Sequence, residues 1–298
     1  MWILFTLFAA TMQAIRTAGQ KHLTQRLSPI AVTWVRFGYG LPFALIYLFS
    51  VAAATPSEVA QLQLTANYWL FVSLASAAQL FGSFMLVLVL GQRNFAVGTT
   101  YAKTEAILTA VVGTVFFGAW LNTWAWVAVV LGVIGILAVS VQKSHLSWQQ
   151  LFTEPTLITG LGAGLGFALA SLWLREASLA LQGHYLISAA TTLLTMVFFQ
   201  AVAATAWILW REPSSGILLV RHWRGGVFVG LTSVLGSIGW ITAMTLQPAA
   251  YVKALGQVEF GLSLLITFLI FKEKITRVEW FGMCFVFASV VLLLLKGM

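Results

Sequence analysis

Apolar residues in this chain do not alternate with polar ones. They continue for about twenty positions and stop at short polar joints. A helix of about 20 residues crosses the ~30 Å hydrocarbon core of a bilayer. Ten such runs are predicted as spanning helices: 2–21, 28–52, 67–91, 96–118, 122–141, 156–176, 184–210, 225–246, 249–271 and 277–295. Longer polar joints open at Ala54-Thr55-Pro56-Ser57-Glu58, after which a short interfacial helix is predicted, and at Arg211-Glu212-Pro213. Residues 142–155 separate two halves. The first run has no basic stretch ahead of it and no cleavage pattern, so it reads as a first helix and not as a signal peptide.

The polar positions inside these runs repeat. Glu105 and Glu259 lie 154 positions apart, and the same offset brings Lys21 onto Arg175, Trp69 onto Trp223, Gly82-Ser83 onto Gly236-Ser237, Ala96 onto Ala250, Phe117 onto Phe271 and Trp126 onto Trp280. One unit of five helices used twice accounts for this without a gap. Five is odd, so the second copy must be inverted relative to the first, a common transporter architecture. The expected fold is therefore an all-α membrane protein of ten transmembrane helices, arranged as two inverted-topology repeats, 1–144 and 155–298.

Composition agrees. Of the 298 residues, 60% are hydrophobic and 8% charged, against about a quarter charged in a soluble domain. No soluble fold buries that much apolar side chain, so the bilayer is the expected solvent. The net charge of +8 does not indicate nucleic acid, because the basic residues stand singly or in twos and threes at helix ends. They also fall on one side. Odd-numbered loops hold Lys21, Arg26, Arg93, Lys143, Arg211, Arg221, Arg224, Lys272, Lys274 and Arg277, while even loops have little beyond Arg175. Excess Lys and Arg mark the cytoplasmic face, so the odd loops are expected inside and both termini outside, in a bacterial inner membrane. The lone Cys284 rules out an internal disulfide and a multi-cysteine metal site. The four histidines lack ligand spacing, and no Walker loop or Ser/His pairing stands out. Neither a cofactor nor enzymatic activity is expected, and secondary transport follows.

The pattern of the fourth and ninth helices resembles that of the drug/metabolite transporter superfamily, EamA type. The second copy reads Glu259, an apolar run, Phe271-Lys272-Glu273-Lys274-Ile275-Thr276, then Trp280-Phe281-Gly282. The first reads Glu105, an apolar run, Phe117-Gly118-Ala119, then Trp126. It departs where Ala119 replaces the helix-end glutamate, and Ala106 and Phe260 replace the usual proline. The resemblance covers nearly the whole chain and implies a transporter of amino acids, nucleotide sugars, drugs or other metabolites. It also implies cytoplasmic termini, against the charge count.

Intramembrane charge then gives candidate site residues, because an ionisable group at the centre of a bilayer costs at least ~3 kcal/mol and usually faces a cavity or a partner. Glu105 and Glu259 lie roughly 12–14 Å into their helices. They are candidates for a proton or substrate site, or for an ion pair holding the repeats together. Lys103 is about 200° around the helix from Glu105, so each needs a partner on another helix. Lys253 and Gln257 share a face, and Gln257 occupies the position equivalent to Lys103. Arg16 and Arg36 are candidates for binding a carboxylate or phosphate, with snorkelling to headgroups the favoured reading for Arg16. Gln13, Gln79, Ser83, Ser237 and Thr100 either line a cavity or bridge helices. Trp34, Tyr101, Trp240 and Tyr251 either wall a ligand or pack. The glycines at 160, 162, 164 and 166, and at 226 and 230, predict close helix packing.

The leading expectation is a secondary exporter of a small polar metabolite, an amino acid or organic anion, working by alternating access. Its substrate-binding residues are Lys103, Glu105, Glu259, Gln257, Lys253, Tyr101, Trp34, Arg36, Gln79, Ser83 and Trp240. Its partners are a small-molecule substrate, the lipid bilayer and protons as a candidate coupling ion. Efflux of hydrophobic cations, and translocation of amphipathic lipid-linked headgroups, are the alternatives.

Overall fold

The computed structural model of the chain describes residues 1–91, 102–144, 156–262 and 277–297. The described residues are helical and contain no strand. In chain order the helices are α1 Trp2–Leu23, α2 Pro29–Gly38, α3 Leu41–Ala54, α4 Pro56–Val59, α5 Ala66–Gly91, α6 Glu105–Phe117, α7 Thr123–Ser144, α8 Thr156–Ala180, α9 Tyr185–Arg211, α10 Ser215–Arg221, α11 Trp223–Leu246, α12 Ala249–Gly256 and α13 Arg277–Lys296. Among the described residues, five stretches are long and apolar enough to cross a membrane: Pro29–Ala54, Ala66–Gly91, Leu157–Ala180, Tyr185–Arg211 and Trp223–Leu246. The helix predicted after Pro56 is the single turn α4. Helix α10, ahead of α11, is absent from the sequence reading.

Three predicted helices are broken. The second divides at Tyr39-Gly40 into α2 and α3. Pro42 is the cause: it has no N–H for the Gly38 carbonyl, and its ring crowds that group. The fourth is interrupted at Lys103-Thr104, between helical Ala102 and α6. The ninth is interrupted at Gln257, between α12 and the helical residues 258–262. Both interruptions tighten into the same i→i+3 bond. The Ala106 amide donates to the Lys103 carbonyl, and the Phe260 amide to the Gln257 carbonyl. These two bonds lie 154 positions apart.

Helix packing is dominated by three pairs: α5 with α8, α1 with α11, and α7 with α13. Glycines bring the first pair close together. A Cβ on Gly166 would stand 2.7 Å from the Gly82 Cα, and one on Gly82 would stand 3.2 Å from the Ala163 carbonyl oxygen. In the second pair, a Cβ on Gly236 would meet the Met12 Cβ at 3.4 Å and the Ala9 carbonyl oxygen at 3.7 Å. The glycines at 226 and 230 make room for Tyr39 at the α2–α3 break.

The polarity of the bundle is that of a membrane protein. Large apolar side chains such as Phe49, Phe116, Leu209 and Trp210 face outward, where acyl chains satisfy them. Polar side chains face inward. On α1, Gln13, Arg16, Thr17 and Gln20 recur at i, i+3, i+4 and i+7, one helix face; Arg16 and Gln20 on it are buried. Gln200 on α9 is buried as well, donating to the Ser76 carbonyl and to the Gln79 side chain.

Candidate functional site

The interrupted helices carry the charge. Glu105 is the first residue of α6, and Glu259 lies in the first turn of 258–262. A helix start leaves backbone N–H groups unbonded and carries the positive end of the dipole, which favours a carboxylate there by about 0.3–1 kcal/mol at exposed sites. Each carboxylate is also paired across the molecule. Lys103 forms an ion pair with Glu259, and Lys253 forms one with Glu105 at 2.5 Å. The second approach falls outside hydrogen-bond geometry, since the Glu105 oxygen has no hydrogen-bond donor. The two pairs therefore cross, each linking the fourth predicted helix to the ninth.

Gln13 and Trp240 join the two pairs into one chain of contacts. The Gln13 amide nitrogen donates to the Glu259 carboxylate at 2.6 Å. Its oxygen accepts from the Trp240 indole N–H at 2.9 Å. The Lys253 ammonium lies over the Trp240 ring, 4.5 Å from its centroid. Read end to end, the chain runs Lys103, Glu259, Gln13, Trp240, Lys253, Glu105. It ties α1 and α11 to both interrupted helices.

This chain lines a cavity of about 740 Å³, counted with its open mouth. Arg16, Arg36, Gln79, Lys103, Glu105, Lys253, Glu259, Trp240 and Gln13 all reach it. Arg16 and Arg36 are 3% and 5% exposed, so they are held inside and do not reach for headgroups. The snorkelling expected of Arg16 is thus corrected. Its polar face on α1 has nowhere to turn but inward. Arg36 donates to the Ser83 hydroxyl at 2.7 Å, while the Nε of Arg16 has no hydrogen-bond partner among the described residues.

The remaining sequence candidates divide. Ser83 stands behind the cavity as the acceptor for Arg36. Gln257 lines an adjoining space of about 300 Å³ and donates to the Val129 carbonyl at 3.4 Å. Trp34 does not reach the cavity, because its indole N–H is drawn to Thr205 on α9 at 2.7 Å. Tyr251 packs against a separate apolar cluster. Tyr101 and Thr100, like the Phe271–Thr276 stretch, lie outside the described residues. Sequence reasoning missed Thr17, Leu86, Phe167, Ser171, Leu174, Ile241 and Met244 among the lining groups. The offset that located Glu259 also leads from Gln13 to Phe167, from Thr17 to Ser171 and from Trp240 back to Leu86. Applying it to Gln13 and Trp240, which were already candidates, would have found Phe167 and Leu86.

Residues 1–141 match the family model of the EamA-like transporter family. No curated protein matches the chain. A solved structure titled only "Crystal structure of protein" shares the fold with a TM-score of 0.72 at 14% identity, covering 99% of this chain and 96% of that one.

Proposed function

We propose that this chain, whose residues 1–141 match the EamA-like transporter family, is a member of that family and a multi-pass membrane transporter of drug/metabolite type, a secondary carrier that exports a small anionic metabolite by alternating access around the central cavity. Organic anions and amino acids are the substrate class. Residues 1–144 and 155–298 act as two inverted five-helix repeats in a bacterial inner membrane, with the termini outside.

One observation carries this reading: the crossed pairs Lys103–Glu259 and Lys253–Glu105 at a cavity that also holds two arginines. Left singly in lipid, six charges at about 3 kcal/mol each would cost roughly 18 kcal/mol, more than the 5–15 kcal/mol by which domains are stable. Pairing and access to water offset that cost, and a chain needing only structure would have used apolar side chains there. The repeat is supported by equivalent contacts. Ser289 donates to the Ala128 carbonyl, and the pair 154 positions away in each sense, Gly135 and Gly282, is also in close contact. The approach of Gly82 to Ala163 and Gly166 has its counterpart in Gly236 with Ala9 and Met12.

In such a carrier the crossed pairs close the path between the repeats. A substrate oxyanion competes with Glu105 and Glu259 for the lysines, and protonation of either glutamate releases its lysine in the same way. Flux in proteoliposomes under an imposed pH gradient tests this. Glu105→Gln and Glu259→Gln should each lower flux by at least ten-fold and flatten its response to the gradient. Flux and pH response intact in both variants would remove the carboxylates from the mechanism.

A further inference from the structure

The cavity is lopsided, and the lopsidedness follows the two halves of the sequence. The first half supplies Gln13, Arg16, Thr17, Arg36 and Gln79. The positions 154 residues on from Arg16 and Arg36 are Ala170 and Ala190, and Gln13 is answered by Phe167. The second half supplies Lys253 and Glu259, but its wall on α8 and α11 is Phe167, Leu174, Trp240, Ile241 and Met244, relieved there only by Ser171 and Ser237. Those two helices form one surface: Arg175 of α8 donates to the Met244 carbonyl, Ser178 bonds Thr245, and Leu174, Trp240, Ile241 and Met244 belong to one packed cluster.

The charges do not balance either. Lys103 and Lys253 are each matched by a glutamate. Neither Arg16 nor Arg36 has a carboxylate within ion-pair distance among the described residues, and both are more than nine-tenths buried. Arg16 retains an Nε with no acceptor. Two buried guanidiniums with no carboxylate in contact are costly, because Glu105 and Glu259 reach them only at longer range and already hold the lysines, and a ligand that brings oxyanions relieves that cost. The apolar surface that lines the same cavity gains about 25 cal/mol for each Å² it shields from water.

We infer that the site takes an amphipathic organic anion, its carboxylate or phosphate held by Arg16 and Arg36 and its ring or branched aliphatic body laid against Phe167, Leu174, Trp240, Ile241 and Met244. This rests on the transport reading but narrows its substrate class. Small hydrophilic anions leave the apolar wall wet, and hydrophobic cations face two guanidiniums.

Thermal shift on the purified full-length protein in detergent, titrated with five probes, tests it, because a ligand that binds the folded state raises Tm by mass action. Phenylacetate and phenyl phosphate carry both features, acetate and inorganic phosphate carry the head alone, and phenethylammonium carries the ring with the opposite charge. Phenylacetate or phenyl phosphate should bind at least ten-fold more tightly than its bare head and than phenethylammonium, and which of the two does so identifies the head. Met244→Ala should weaken the ring-bearing anion several-fold and leave any weak binding of its bare head unchanged. Arg16→Gln and Arg36→Gln should each weaken the ring-bearing anion by at least ten-fold. Where a Gln variant does not fold, Arg16→Lys and Arg36→Lys replace it and should weaken binding less, since the charge remains but the fork does not. Equal binding of bare and ring-bearing anions, preference for phenethylammonium, or no shift with any probe would overturn the inference. Transport itself is judged separately: in the first two cases, flux that still depends on Glu105 and Glu259 leaves the carrier reading standing.

Discussion

Glu259 shows how much one side chain is asked to do. It is 5% exposed, and its carboxylate meets both the Lys103 ammonium and the Gln13 amide. Removing one member of a buried pair leaves the other charge uncompensated, which costs about 3–5 kcal/mol when both are fully buried. Lys103 is 27% exposed, so the lower end of that range applies. Glu259→Gln should therefore lower Tm in detergent, and Lys103→Glu with Glu259→Lys together should recover more than half of the loss. A double-mutant cycle giving a coupling below about 0.5 kcal/mol would mean that the pair does not act as one. Gln13→Glu is a sharper probe, because it places a second carboxylate at hydrogen-bond distance from Glu259. Two carboxylates so close cannot both stay ionised cheaply. Transport should fall by ten-fold or more at alkaline pH and recover as pH drops, when one shared proton restores a donor where the amide was. A Gln13→Glu variant whose flux does not recover as pH falls would argue against this contact. The acids and bases of this network were legible as intramembrane charges. Who pairs with whom was not, since the ion-pair partners are 148 and 156 positions apart and sequence spacing fixes only which residues cannot share a face.

At the scale of elements, apolar run length located the helices well, and the residues that break them were harder to read. Pro42 is visible in the sequence, yet the run 28–52 stays apolar across it, so the split at Tyr39-Gly40 is hidden by hydropathy. The interruptions at Lys103-Thr104 and Gln257 carry no proline at all. Their tight bonds are stabilised by what surrounds them, including the Gln257 side chain, which fills the space a Cβ on Gly132 would need. The glycine stripe on α8 was legible as a packing face, but its counterpart, Gly82 on α5, becomes evident only from contact. A measurable consequence follows from that contact. Gly166→Ala would drive a methyl group into the Gly82 backbone at 2.7 Å, and backbone cannot turn aside as a side chain would. The helices must separate, and overpacking of this kind costs typically 1–3 kcal/mol. Gly216→Ala, where nothing lies within 4 Å of the added carbon, is the control. The first variant should lose several degrees in Tm and much of its folded yield, and the second should change neither. Equal melting of the two proteins would show that α5 and α8 do not touch there.

The whole molecule is organised by a conflict that its two halves resolve differently. Gln13, Arg16 and Arg36 of the first half line the cavity; the positions 154 residues on are Phe167, Ala170 and Ala190, and of these Phe167 lines it. On the proposed repeat, duplication accounts for the shared scaffold and divergence for the asymmetric lining. The same proposal, taken with the loop charges, predicts how the chain lies in the bilayer. An inverted repeat places the joint after helix two and the joint after helix seven on opposite faces. The first of these joints has no Lys or Arg, whereas the second has Arg211, Arg221 and Arg224. Each basic residue near a span end favours the cytoplasmic side, so the residues around Ser57 should lie outside and those around Ser214 inside. Both serines sit beside exposed helix ends, α4 and α10, where a thiol can react. Cys284 is exposed and must first be replaced by serine. In that background, Ser57→Cys in whole cells should react with a membrane-impermeant maleimide, while Ser214→Cys should react only after the membrane is opened. The reverse pattern would place the termini inside, as the family resemblance implies, and leave the repeat intact. Reaction of both thiols from the same side would leave the two joints on one face, and two inverted copies cannot produce that.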